Sequence, residues 1–126
     1  MPLTNAPFIV NEIATALHKL LNERSPTTIF LSQSPMTEED AAFLSDFLGR
    51  GETLIEIGGL SQTRFRATRY PGVWWGEYST APGNISLRTI DVAEVPELVH
   101  ASRDDINDGL GRLRIGLPGL QCTKQD

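Results

Sequence analysis

The chain has 126 residues, with 11 Lys and Arg against 16 Asp and Glu, a formal net charge of −5, two His and a single Cys. That length fits one domain, which should bury roughly two thirds of its unfolded surface without a disulfide or structural metal, and the lone Cys122 excludes both an intramolecular disulfide framework and a paired-thiol zinc clamp. The acidic balance argues against general nucleic-acid binding. With no basic n-region and no apolar run of transmembrane length, the expected location is cytoplasmic, away from the membrane.

From Pro7 to Glu23, Ile9, Ile13, Leu17, Leu20 and Leu21 recur at helical spacing, opposite Asn11, Glu12, Lys19 and Asn22. The pattern predicts an amphipathic helix that must dock on a surface. Ser25-Pro26 ends it, and the β-branched run Thr27–Leu31 reads as a short strand. Thr37 ahead of Glu38-Glu39-Asp40 marks a capped helix start, Met36, Phe43, Leu44, Phe47 and Leu48 its apolar stripe, and Gly49 its end.

After Gly51 the period becomes alternating. Strands are expected over Thr53–Ile57, Thr63–Arg69, Val73–Thr80 and Ile85–Val92, separated by Gly58-Gly59, Pro71-Gly72 and Ala81-Pro82-Gly83-Asn84. Leu87 and Ile90 are out of phase, which predicts a bulge or an early end. Strands joined by such short turns make a mostly antiparallel sheet of four to five strands. A short turn follows over Glu94–Val99. Ser102 with Asp104 and Asp105 then caps a last helix expected to turn Ile106, Leu110 and Leu113 inward, weakened by Gly109 and Gly111. The expectation is therefore an α+β meander with two N-terminal helices and a short C-terminal helix packed mainly on one face, forming a single domain over residues 1–114 before a flexible tail over 115–126.

The sequence contains no nucleophile elbow, no phosphate-binding Gly-rich loop with its Lys, and no His-Glu-x-x-His. His18 and His100 share no ligand spacing with Cys122, so neither a metal nor a cofactor is expected. The acidic run Glu38-Glu39-Asp40 is accounted for by helix capping. Arg64, Arg66 and Arg69 read either as a solvated strand face or as a clamp for an anionic ligand beside Trp74 or Trp75. Adjacent strand residues point to opposite faces, so Trp74 and Trp75 cannot enter the same core layer. If one face is open, it carries either Trp74 with Tyr78 or Trp75 with Val73, and otherwise both tryptophans are covered. An exposed Trp–Tyr pair rimmed by arginines has the composition of a protein-binding hot spot, and Arg64, Arg66, Tyr70, Trp74 and Tyr78 share even parity if the pleat continues through Pro71-Gly72.

Arg66-Ala67-Thr68-Arg69-Tyr70-Pro71-Gly72-Val73-Trp74-Trp75, the later Ile90-Asp91-Val92-Ala93-Glu94-Val95-Pro96, and Ala101-Ser102-Arg103-Asp104-Asp105 together resemble the C-terminal conserved region of the hydrogenase expression/formation proteins of the HupH/HyaF/HoxQ type. The resemblance spans about Phe8 to Arg114, with the strand block as its specific part. Members of that family are usually longer, with a further N-terminal region, and usually carry an apolar residue where this chain has Gly76. The resemblance implies a non-enzymatic, chaperone-like role in maturation of the [NiFe] uptake hydrogenase. It also implies a hydrogenase subunit, the Fe–S-bearing small subunit, or another maturation protein as partner. Combined with the residue reading, the partner surface is expected at Arg64, Arg66, Tyr70, Trp74, Trp75 and Tyr78. The alternatives are an anionic-ligand or catalytic site built on Arg64, Arg66 and Arg69, and a homodimer interface made by the same aromatic patch.

Overall fold

The computed structural model describes residues 5–31, 37–59, 61–81 and 83–121. Helix α1 (Ala6–Glu23) begins with Pro7 in its first turn and ends where Arg24 turns left-handed at φ 55°. Strand β1 (Thr27–Phe30) follows, then helix α2 (Glu38–Leu48). Thr37 Oγ1 accepts the Asp40 N–H at 3.0 Å, and the Asp40 carboxylate accepts the Thr37 N–H at 3.1 Å, closing a reciprocal capping box. That carboxylate is fully buried and also accepts the N–H groups of Asn5 and Ala6, so one acidic side chain ties the starts of α1 and α2 together.

Strands β2 (Leu54–Ile57), β3 (Gln62–Ala67), β4 (Val73–Ala81) and β5 (Asn84–Val92) form the expected meander. Strand β1 returns to pair with β5, giving a wholly antiparallel sheet in the order β1-β5-β4-β3-β2. The bulge signal near Leu87 is met one residue earlier. Tyr78 pairs with Leu87 but Ser79 pairs with Ile85, so Ser86 is the extra residue, and its hydroxyl donates to Tyr78 O at 3.1 Å.

Helices α1 and α2 cover the same face of the sheet, as their single apolar stripes require. Ile9, Ile13 and Ala16 of α1 and Leu44 and Leu48 of α2 form one buried cluster with Ile29, Val73, Trp75, Ile90 and Val92. A 3₁₀ turn (Glu97–Val99) leads to helix α3 (Arg103–Gly116), capped by Ser102 Oγ on the Asp105 N–H, and then to the short α4 (Pro118–Gln121). The inward packing expected of α3 is not found. No residue of α3 is buried, and Ile106, Leu110 and Leu113 are all exposed. The stripe specifies that a helix wants an apolar partner, but α1 and α2 already occupy the covered part of the sheet. The last helical residues also run past position 115, where periodicity in the sequence ends.

Candidate functional site

The hairpin β3–β4 positions the aromatic and arginine residues. Pro71 and Gly72 occupy the corner positions of a turn in which the Val73 N–H donates to Tyr70 O at 3.0 Å, and Gly72 takes φ 91°, which suits glycine. Buried Thr68 holds the turn closed. Its hydroxyl accepts the Tyr70 N–H at 3.1 Å and donates to Val73 O at 2.8 Å. This is a physical role for the Thr of the Arg-x-Thr segment.

The register corrects the expectation that Arg64, Arg66, Tyr70, Trp74 and Tyr78 share one face. Arg66 lies opposite Trp75 and Arg64 opposite Glu77. Side chains of directly paired residues point the same way, so even-numbered residues of β3 share a face with odd-numbered residues of β4. Parity does not carry across a turn. Trp75 therefore faces the helices and is only 4% exposed, whereas half-buried Trp74 lies on the other face with Tyr78 and donates its indole N–H to Ala93 O at 3.2 Å. Tyr70, in the turn, stacks on Phe47 of α2 at 5.8 Å, and Phe47 stacks on Phe43 at 5.7 Å.

The three arginines also separate. Arg64 is exposed and ion-paired with Glu56. Arg69 is exposed at the C-terminal end of α2, where its backbone N–H donates to Leu48 O at 2.7 Å and its guanidinium lies against Gly49. Arg66 alone sits over a tryptophan, with its guanidinium carbon 5.8 Å from the centroid of the Trp75 ring, and it donates to Gly49 O at 3.1 Å.

Beyond the reach of α1, the helix-side face opens into a cleft of about 570 Å³ between α2 and the β3–β5 strands. Arg50, Arg66 and Arg88 line it together with Trp75 and Glu77. Glu77 accepts the Trp75 indole N–H at 3.1 Å and approaches Arg88 Nε at 3.7 Å. Among the described residues no ion pair forms on Arg50 or Arg66. Burial, and then the like charge of Arg50, push the Arg66 guanidinium down from its usual pKa, with Glu77 opposing. An incoming carboxylate would relieve that setting. Of these residues, the sequence reading missed Arg50, Glu77 and Arg88. Glu77 and Arg88 enter by being opposite each other across β4 and β5, and Arg50 by following the end of α2, so only the register and the helix position could have identified them.

The second face of the sheet carries Trp74, Tyr78, Phe65, Thr89 and Asp91. Phe65 meets the Tyr78 ring edge-on at 6.0 Å. Asp91 is buried and accepts from Thr89 Oγ1 at 2.7 Å and Thr28 Oγ1 at 3.3 Å, while desolvation raises its pKa above the usual aspartate value against the pull of both hydroxyls. Among the described residues no group of three or more His, Cys, Asp or Glu is placed to hold a metal ion, and no helix is long and apolar enough to cross a membrane. Cys122 lies outside the described residues. His18 is on the exposed side of α1, with its ring nitrogen 2.9 Å from Asn22 Nδ2.

A five-stranded antiparallel sheet with two helices on one face, and this motif-bearing hairpin near its centre, define an α+β domain. The chain belongs to the HupH hydrogenase expression protein family, matching its C-terminal conserved region over residues 3–117. It is 32% identical over 119 residues to the hydrogenase expression/formation protein HupH of Rhodobacter capsulatus, covering 94% of this chain and 43% of that protein. With HupQ of Azotobacter chroococcum the identity is 32% over 114 residues, covering 89% of this chain and 40% of the relative. The chain thus spans about two fifths of the length of these curated relatives. The solved structure of the hydrogenase expression protein HupH from Thiobacillus denitrificans superposes with a TM-score of 0.87 at 34% identity, covering 94% of this chain and 99% of that one.

Proposed function

We propose that this chain is a non-enzymatic accessory protein of hydrogenase maturation, and that it binds a client, the Fe–S-bearing small subunit, through an acidic segment laid into the arginine–tryptophan cleft. Family membership supports the process. The observation that carries the binding mode is Arg66, held over Trp75 beside Arg50 and, among the described residues, in no ion pair. Guanidinium groups recognise carboxylates through forked hydrogen bonds, and a flat aromatic beneath them keeps the fork oriented at low entropy cost. Most of the described residues lining the cleft are polar or charged, which suits an extended peptide better than an apolar small-molecule ligand. Within the aromatic–arginine surface expected from sequence, Arg66 and Trp75 line the cleft, whereas Arg64 is outside its lining and paired with Glu56. Tyr70 is beyond it, and Trp74 and Tyr78 form a separate surface.

The test is capture of purified small subunit by immobilised chain. Replacing Arg50 and Arg66 together by Glu should weaken binding at least tenfold, an effect of about 1.4 kcal/mol or more, while the melting temperature stays within a few degrees. Raising the salt concentration should weaken the wild-type complex. Trp74→Ala should leave capture intact. If Trp74→Ala abolishes capture and the Arg variant binds normally, the second face is the interface and the cleft reading fails.

A further inference from the structure

Helix α3 carries a second surface that the cleft reading does not use. Ile106, Leu110 and Leu113 of α3 and Leu117 at its C-cap follow one another at intervals of four, three and four residues, the spacing of a coiled-coil seam. They are exposed by 59%, 43%, 65% and 37%. A Cβ added at Gly109, Gly111 or Gly116 would meet no described atom within 4 Å, so the described residues leave these positions on the helix uncovered.

The charges on α3 select what covers it. Its first half carries Asp104, Asp105 and Asp108 against Arg103, and its second half carries Arg112 and Arg114 with no acidic residue. This order suits the helix dipole of a single α3. It is also self-complementary, because a second α3 running the opposite way brings an acidic half beside a basic half at both ends. A parallel pair would place like charges together. We propose that α3 is the seam of a homodimer in which two copies pair antiparallel about a two-fold axis near Gly111 and Arg112, with Ile106 of each copy facing Leu117 of the other and Leu110 facing Leu113. Gly109 and Gly116 flank the seam and let the helices approach closely. The arrangement is isologous and closes on itself, which excludes open fibres. A seam of four apolar residues per helix is smaller than a standard interface, so the dimer should be weak and reversible, with Kd on the order of 10–100 μM.

The experiment is sedimentation velocity on the full 126-residue chain carrying Cys122→Ser, from 1 to 500 μM. The expected result is a monomer–dimer equilibrium that weakens in 0.5 M salt. Leu110→Asp with Leu113→Asp should raise Kd at least tenfold without changing the circular dichroism of the domain. Orientation is read by mixing two preparations in the same background, Ile106→Cys and Leu117→Cys, under mild oxidation. An antiparallel seam links 106 of one copy to 117 of the other. Along a helix these positions are about 16 Å apart, so Ile106→Cys alone should not link to itself. A monomer at every concentration, a dimer that survives the two aspartates, or preferential self-linking of Ile106→Cys would each overturn the proposal.

Discussion

Phe65 fills the second face of the sheet because its cross-strand neighbour, Gly76, has no side chain. A Cβ at Gly76 would lie 2.5 Å from Thr89 Oγ1 and 3.1 Å from Phe65 Cε1. A larger side chain at position 76 is therefore incompatible with this packing, in which Gly76 is matched by a buried aromatic across the strand pair. Gly76→Ala should cost about 1–3 kcal/mol through overpacking, read as a lower urea midpoint at unchanged slope. Next to it, Asp91 has a folded pKa raised by burial. Between the ordinary aspartate value and that raised value, the native state holds more protons than the unfolded chain, so stability falls as pH rises through the window. Ionised Asp91 is thus a cost above the window that disappears as pH drops below it. Asp91→Asn should match or exceed wild-type stability at pH 7, and its advantage should shrink towards pH 4. Urea melts of both proteins across pH 4–8 check this, and an advantage that grows on acidification would contradict the burial argument.

At the scale of elements, α1 and α2 were legible from helical spacing, β1 from its β-branched run, and β2 to β5 from alternation between turn signals. The capping role of Glu38-Glu39-Asp40 was legible too, from Thr37 and the acidic first turn. That Asp40 also holds the start of α1 was not, since the contact joins residues 34 and 35 positions apart. Asp40→Ala should cost about 2–4 kcal/mol, more than the loss of one helix cap, because two helix starts lose a charged acceptor. Thr37→Ala removes only the hydroxyl side of the box and should cost about 1 kcal/mol. Equal losses would show that the tie to α1 contributes nothing. The tryptophan pair was half legible. Adjacency required opposite faces, but assigning each face needed the Arg66–Trp75 register, and counting parity through Pro71-Gly72 selects the wrong set. The stripe of α3 was equally visible in sequence, but a stripe does not say whether its partner is the same chain or another.

At the scale of the whole molecule, the buried residues among those described lie between Ala6 and Pro96, and α3 contributes none to them. Stability and the helix-side cleft should therefore both be properties of the part before α3. A chain ending at Ser102 should unfold in one cooperative transition, with a melting temperature within about 3 °C of the full chain when both are measured at 5 μM. On a domain of about 100 residues, each kcal/mol lost shifts the midpoint by roughly 4–8 °C, so hidden packing of α3 against the sheet would be visible in this comparison. The two chains should separate as concentration rises. Pairing of α3 stabilises the native state by mass action, so the full chain should melt at higher temperature at 500 μM than at 5 μM while the shortened chain does not. A large loss on truncation at 5 μM would mean that α3 packs on its own domain in solution. A concentration dependence shared by both chains would move the dimer seam off α3 and onto the sheet.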